Sequence, residues 1–292
     1  MVPDSPSVSK PRFTSATDPR PEPSRIPAMS TSQEAGARAE LPGVYRPGKR
    51  AIVVGASSGM GAAVVRQLAD EGYSVVALAR RSEALTELQQ SCQSKPGSVH
   101  VEAHDVSDFD AVPALFERWV GELGGLDLFV FAAGVMPEVA EDEYSTEKDH
   151  LILKVNLLGC VAWCNPVAKL FETQRGGTLI GVSSIAGDRG RRGNPAYCTS
   201  KAAMNTYLEA LRNRLAQVGA HVCTIKPGYV DTAMTQGMDG LFWLASPEEA
   251  ARKILAAGRG GANERYVKRR WWLVGTIIKA IPSFLFKRIG PP

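Results

Sequence analysis

The sequence predicts an α/β fold: a doubly wound parallel sheet in one domain, preceded by a disordered tail and followed by a basic, apolar C-terminal extension. Three observations carry that prediction. From Lys49 onward, short apolar runs alternate with helical stretches. The runs are nearly continuous in Val, Ile, Leu and Ala, as strands covered on both faces are. The first run breaks into a glycine-rich turn, Gly55-Ala-Ser-Ser-Gly59-Met-Gly61, that opens a helix. Strands alternating with helices of this size need crossover connections, and so form a parallel sheet with helices on both sides.

The elements follow in order. Ala51–Val54 reads as the first strand, and Gly59–Asp70 as a helix with Ala62, Val65 and Leu68 on one face. Ser74–Ala79 is the second strand, with a helix from Ser82 to Gln93. Ser98–Ala103 is the third, followed by a helix over Phe109–Glu122, and Leu126–Phe131 is the fourth. Long helices fit Glu147–Gln174 and Pro195–Val218. Gly177–Ser183 lies between them as the fifth strand, and His221–Lys226 follows as the sixth. A doubly wound sheet takes its ligand outside the C-terminal strand ends.

Residues 1–48 hold nine of the 19 prolines and show no periodicity. They bury too little apolar surface to offset ordering, so a disordered tail is expected. Met29 reads as an alternative start, with residues 1–28 dispensable. The catalytic domain is expected over 49–262 and a separate segment over 263–292.

The 34 Lys and Arg against 30 Asp and Glu give a net charge of +4. Arg265 to Pro292 holds seven basic residues and no acidic one, so the remainder carries 27 − 30 = −3. These cations are interleaved with apolar runs rather than forming a hydrophilic stripe, which argues against a nucleic-acid partner. Five scattered cysteines without a CxxC pair, and four histidines away from them, give no metal site and point to free thiols in a reducing cytosol. No apolar run is read as long enough to span a membrane, and the N-terminus lacks a secretory apolar core. A cytoplasmic protein is expected.

Glycines at 55, 59 and 61 let the turn tighten and the backbone approach a pyrophosphate at the helix N-terminus. Ser57, Ser58 and Met60 share that turn. The second strand ends in Ala79-Arg80-Arg81. An acid is usual there when ribose hydroxyls are bound; two guanidiniums instead suit a 2′-phosphate, with Arg80 the nearer to the strand. NADP(H) is therefore the expected cofactor. Tyr197 and Lys201 stand at i and i+4 early in a helix, where the cation would favour the phenolate. Ser184, at the end of the fifth strand, has a hydroxyl that suits polarising the same carbonyl.

In the company of these residues the chain resembles the short-chain dehydrogenase/reductase family of single-domain Rossmann type, over about Lys49 to Ala262. The matching pieces are Gly55/Gly59/Gly61, Asp105-Val106, Ala133-Gly134, Asn156, Ser184, Tyr197, Lys201 and Pro227-Gly228-Tyr229-Val230-Asp231-Thr232. The resemblance implies a general acid/base in Tyr197, with Lys201 lowering its pKa and holding the nicotinamide ribose. It implies that Ser184 orients the substrate oxygen and that Asn156 kinks its helix and holds a relay water. Asp105 and Val106 would flank the adenine, with Ala133 and Gly134 beside the cofactor. Pro227, Gly228, Val230 and Thr232 would position the nicotinamide. It also implies a homodimer or homotetramer through the two long helices. Val54 and Ala132 depart from the usual Thr and Asn, which touches strand stability more than catalysis.

The loop 231–240, with Met234 and Met238, reads as a lid, and Leu241–Ala245 as an apolar wall. Residues 265–289 leave two readings open: an interfacial element on a membrane, or a segment packed on the core or across a dimer. Gly187–Asn194, with Arg189, Arg191 and Arg192, and the Ile281-Pro282-x-x-Leu285-Phe286-Lys287-Arg288 ending are similar to reductases of polyprenyl-phosphoryl keto-sugars. That resemblance implies reduction of a ketone to a secondary alcohol on a lipid-linked substrate at the cytoplasmic membrane face. A small soluble carbonyl is the alternative, and a non-catalytic dinucleotide-binding protein the third reading.

Overall fold

β1 (Arg50–Val54) is the axis of the sheet, because it pairs in parallel with β2 (Ser74–Ala79) on one side and β4 (Leu128–Phe131) on the other. The computed structural model describes residues 45, 47–238 and 240–289. The expected tail and the Met29 start lie outside the described residues, apart from Tyr45, Pro47 and Gly48. β3 (Ser98–Ala103) extends the sheet beyond β2. On the other flank come β5 (Thr178–Val182), β6 (His221–Lys226) and a short β7 (Glu264–Tyr266). The order is β3-β2-β1-β4-β5-β6-β7, and every pair is parallel. Chain order reverses between β1 and β4, and that crevice is where such sheets bind ligands.

The alternation along β1 explains why both faces are covered. Ala51 and Val53 join a layer with Val64, Val65 and Leu68 of α1 (Gly59–Asp70) and with Ile254 and Leu255 from the C-terminal part of the chain. Ile52 and Val54 join the opposite layer, with Phe129, Phe131, Trp163 and Leu208. Full burial of each such side chain stabilises by about 1.5–3 kcal/mol. The remaining helices of the first half are α2 (Ser82–Ser91) and α3 (Val112–Leu123). α3 starts three residues later than expected, with Pro113 in its first turn, where a missing N–H costs nothing.

The first long helix is interrupted. α4 (Thr146–Leu153) passes through a π-turn at Lys154–Leu158 into α5 (Gly159–Gln174). Contrary to the expectation that no run has membrane length, the 29 residues Thr146–Gln174 are long and apolar enough by composition; half of the apolar window is buried within the domain, as in a core helix. α6 (Pro195–Leu215) covers the same layer and begins on a side-chain cap: Asn194 Oδ1 accepts from the Tyr197 N–H at 3.0 Å.

Asp127 was expected inside the fourth strand, but it precedes β4 and gathers the start of the domain. Its carboxylate accepts from the Tyr45 hydroxyl, the Gly48 and Arg50 N–H groups and the Arg50 guanidinium. Order therefore begins before Lys49.

Residues Pro247 to Ile289 are built into the domain rather than set apart from it. α7 (Pro247–Arg259) packs on α1, and β7 adds the seventh strand. α8 (Arg269–Ala280) buries Trp271 and Gly275 against the core, and α9 (Ser283–Ile289) follows it. Asp188 supplies the anchor: its carboxylate accepts from Lys226 Nζ (3.0 Å) and the Tyr266 hydroxyl (2.6 Å).

Candidate active site

The three glycines of the first turn are fixed by sterics. Gly55 has φ +89°, and a Cβ there would lie 2.3 Å from the Ala133 nitrogen. A Cβ on Gly61 would lie 2.1 Å from the Gly55 carbonyl oxygen. Thr232 packs on Gly59, bringing the loop after β6 to the same place. The first turn of α1 carries no acidic side chain, so its N–H groups and dipole are free to receive an anion.

A cleft of about 340 Å³ opens here, lined by the glycine turn, Arg80, Arg81, Val106, Ala133 and Gly134. It also takes in His104, Val135 and Val155, which motif reading passes over although each adjoins a motif residue in sequence. His104 Nε2 accepts from Trp163 Nε1 at 3.3 Å, and burial holds the imidazole below its ordinary pKa.

The two arginines divide differently from expectation. Arg81 donates to the Ser57 hydroxyl (3.0 Å) and the Ser58 hydroxyl (2.6 Å), so it stands over the glycine turn. Arg80, expected to be the stronger partner, lies 3.8 Å from the Asp105 carboxylate at the surface. Asp105 itself accepts from the Ser107 N–H at 2.8 Å. Burial alone would raise that carboxyl; the Ser107 hydrogen bonds and Arg80 outweigh it and hold the pKa low.

Catalytic groups converge beside Gly134. A Cβ on Gly134 would lie 3.4 Å from Asn156 Oδ1 and 3.6 Å from Lys201 Nζ, which joins the cleft to the catalytic residues. Asn156 sits in the π-turn. Its amide is fully committed: Oδ1 accepts from the Val135 N–H (2.7 Å), and Nδ2 donates to the Val135 carbonyl (2.9 Å) and the Ser200 hydroxyl (3.2 Å). Asn156 therefore locks the strand-4 loop to the helix through its side chain, while the π-turn supplies the expected distortion.

Ser184 follows β5; its Oγ accepts from the Ala186 N–H at 3.0 Å and hydrogen-bonds to the Tyr197 phenol. Tyr197 is buried among Ile152, Ala186, Ala196 and Cys198. That burial pushes its pKa up, against the lowering pull of Ser184 and Arg191. The expectation that Lys201 lowers the phenol is not what the geometry gives. Lys201 Nζ donates to the Val182 carbonyl at 3.1 Å and lies 5.8 Å from the Tyr197 ring centre. Lys201 is itself buried, which brings its pKa down to about 8. Desolvation dominates at both groups, and Tyr197 stands as a neutral proton donor.

Three expected site residues are placed otherwise. Val230 is buried in the core and bridges to Ala245, so its side chain does not face the cleft. Gly228 lies under the Trp271 ring, where a Cβ would approach to 2.1 Å. Arg189, expected near a substrate phosphate, closes the end of α8: it donates to the carbonyls of Ile278 (2.6 Å) and Ile281 and stacks 4.0 Å from the Phe286 ring centre. The Pro227 carbonyl accepts from the Ile185 N–H at 2.9 Å and so sets the loop after β6 against Ser184.

Comparison with known proteins agrees with this arrangement. The short chain dehydrogenase family profile matches residues 49–239. An uncharacterized oxidoreductase of Myxococcus xanthus is 36% identical over 187 residues, covering 64% of this chain and 74% of that protein. Another, from Mycobacterium tuberculosis, is 28% identical over 256 residues, 86% of this chain and 100% of its own. A short-chain type dehydrogenase/reductase from Mycobacterium marinum superposes with a TM-score of 0.71 at 27% identity, over 77% of this chain and 95% of that one. A short chain dehydrogenase from Burkholderia cenocepacia, solved in complex with NADP, gives 0.71 at 25% identity, over 84% and 98%.

Proposed function

The chain belongs to the short-chain dehydrogenase family, and on that premise we propose that it is an NADP(H)-dependent reductase of a ketone bearing an anionic group. The observation that carries the reading is the joining of two features at one sheet edge. One is a glycine-turn cleft bordered by Arg80 and Arg81. The other is a buried Tyr197 hydrogen-bonded to Ser184 beside Lys201. The cleft fits the cofactor: glycines 55, 59 and 61 keep the turn tight under an α1 N-terminus that carries no acid to oppose a pyrophosphate, and Arg81, held by two serine hydroxyls, presents its guanidinium charge to a 2′-phosphate. The relative solved with NADP supports the same preference.

The bound nicotinamide supplies the hydride in reduction and takes it in oxidation. Tyr197 gives its phenolic proton to the carbonyl oxygen as that oxygen gains charge. Ser184 donates a hydrogen bond to the same oxygen and fixes its position. Lys201, charged below about pH 8 and 5.8 Å from the Tyr197 ring centre, would hold the nicotinamide ribose beside the phenol. Asn156 holds Val135 and Ser200 in place, and through them the floor of the site.

The substrate reading rests on Arg191. Its Nε is buried without a hydrogen-bond partner among the described residues, and its charge reaches the Tyr197 phenol. A buried unpaired donor costs about 1–3 kcal/mol, which an anionic substrate group would recover. The phosphate of a lipid-linked keto-sugar is the class this favours. Two copies pairing across α5 and α6 belong to the same reading, supported by the exposed Leu158 on the π-turn; light scattering on the purified chain tests it.

The test of the reaction is NADPH oxidation with a panel of ketones, with and without phosphate. Tyr197→Phe loses turnover by at least about a hundredfold while NADPH affinity stays within about twofold. Replacing Arg80 and Arg81 by alanine weakens NADPH binding much more than NADH binding. Substantial turnover in the tyrosine variant, or equal loss of both cofactors in the arginine variant, overturns the proposal.

A further inference from the structure

α8 and α9 are packed on one side only. Trp271 and Gly275 are buried, whereas Trp272 (59%), Leu273 (55%), Ile277 (54%) and Phe284 (68%) are exposed. On a helix, positions 272, 273, 276 and 277 fall on one stripe, so the exposure is a face rather than scattered residues. The face continues into the loop after Thr232: Trp243 meets Trp271 edge-on and Phe242 meets it at a tilt, with ring centres 5.5 and 5.1 Å apart, and both are partly exposed. Met234, on the same loop, lines the cofactor cleft.

Charge around this face is predominantly positive, Glu249 answering only Lys268. Among the described residues, Arg269, Arg270, Lys287 and Arg288 pair with no carboxylate. A depression of about 550 Å³ adjoins the start of α8, lined by Lys253, Arg265, Lys268, Arg269 and Arg270, with Glu249 its one acid. α8 adds its own N-terminus, with no acidic side chain in the first turn.

We propose that this face docks on an anionic lipid bilayer, with Trp272, Leu273, Ile277 and Phe284 in the headgroup boundary and a lipid phosphate in the basic depression. Aromatic and aliphatic side chains beside unpaired Lys and Arg are what an interfacial helix needs: the apolar face partitions while the cations meet acidic headgroups. A second copy of the chain fits worse. A two-fold contact would set this cationic surface against itself, and Arg265 to Pro292 offers no acid to answer it. The inference stands apart from the reductase reading; it adds that the cleft opens near the lipid, so an amphiphilic ketone reaches it without leaving the membrane.

The test is co-sedimentation of the full chain with vesicles of equimolar phosphatidylglycerol and phosphatidylcholine, and with phosphatidylcholine alone, at about 150 mM salt. The wild-type chain pellets with the anionic vesicles and little with the neutral ones. Trp272→Ser with Phe284→Ser lowers the partition coefficient by at least about tenfold. Lys287→Gln with Arg288→Gln lowers it by roughly thirtyfold on anionic vesicles. All four side chains are surface residues outside the catalytic site, so both variants keep the wild-type melting temperature and circular dichroism. Three results overturn the proposal: a wild-type chain that stays in the supernatant with anionic vesicles, folded variants that pellet as the wild type does, or a Trp272/Phe284 variant that light scattering shows has lost a subunit.

Discussion

Replacing Asp188 by asparagine tests how the C-terminal helices are held over the active-site edge. The carboxylate accepts from Lys226 Nζ at 3.0 Å and the Tyr266 hydroxyl at 2.6 Å, and the two ion-paired side chains are 3% and 5% exposed. An amide keeps one accepting oxygen but removes the charge. The Lys226 ammonium then stays buried with Glu264 alone, 3.0 Å away on the more exposed β7. Breaking a buried pair from one side costs about 3–5 kcal/mol, and the surviving Glu264 contact places this variant near 3. At roughly 2–4 °C per kcal/mol for a domain of this size, Tm falls by roughly 6–12 °C in differential scanning calorimetry. Adding Lys226→Met removes the stranded cation, so the double variant recovers part of the loss and the cycle shows a coupling of at least about 1 kcal/mol. A Tm drop under about 2 °C, or losses that simply add, would falsify the view that this pair fastens the C-terminus.

Other perturbations read out the site. Lys201 has its pKa brought from 10.5 to about 8 by burial, so kcat/KM for ketone reduction falls above about pH 8 as the ammonium is lost. Stability moves the other way: between about 8 and 10.5 the unfolded chain holds the extra proton, so the contribution of Lys201 to stability rises with pH. A parallel pH–rate and pH–Tm measurement separates the two, and a rate that holds up to pH 10 removes Lys201 from the role given to it. Gly61→Ala puts a Cβ 2.1 Å from the Gly55 carbonyl oxygen; cofactor affinity drops by at least about tenfold in a fluorescence titration, and unchanged binding would show that the turn yields. Arg191→Met removes a charge that holds the Tyr197 phenol down, so the alkaline rise of alcohol oxidation shifts to higher pH; an unmoved profile would place Arg191 outside the electrostatics of the site.

The sheet was legible because its strands are short, apolar and separated by stretches of helical periodicity. Six strands fall within two residues of their expected bounds. β7 was not legible: Glu264-Arg265-Tyr266 is three residues with two charges, and only pairing with β6 makes it a strand. α7 was not among the expected helices, although Ser246-Pro247-Glu248-Glu249 marks its start: the serine hydroxyl accepts from the Glu249 N–H at 3.1 Å. At the site, the i, i+4 relation of Tyr197 and Lys201 put both on one helix face, as spacing predicts. Spacing could not give the direction of the phenol's shift. That depends on how much apolar surface closes over it, and Ile152 and Ala186 come from elsewhere in the chain. Arg189 was misread for a related reason: a cation in a loop near the active site says nothing of the helix end it meets ninety residues later.

The glycines explain why the site reaches beyond the stretch that matches the family, residues 49–239. Gly228 has no left-handed backbone to require a glycine; what requires it is the Trp271 ring, 2.1 Å from where a Cβ would stand. Gly275 shows the converse, since a Cβ there would lie 2.6 Å from the Asp188 carboxylate. A helix residue thus fills a gap in the loop after β6, and a core residue fills a gap in the helix. The two notches oppose sliding of α8 in either direction. Trp272 follows Trp271 on the outward side of the same turn, so whatever meets the outer face of α8 bears on a helix already keyed to the loop that carries Thr232 into the cofactor cleft. The C-terminal segment therefore braces the loop that lines the cleft and also presents a surface, and its sequence answers to both demands at once.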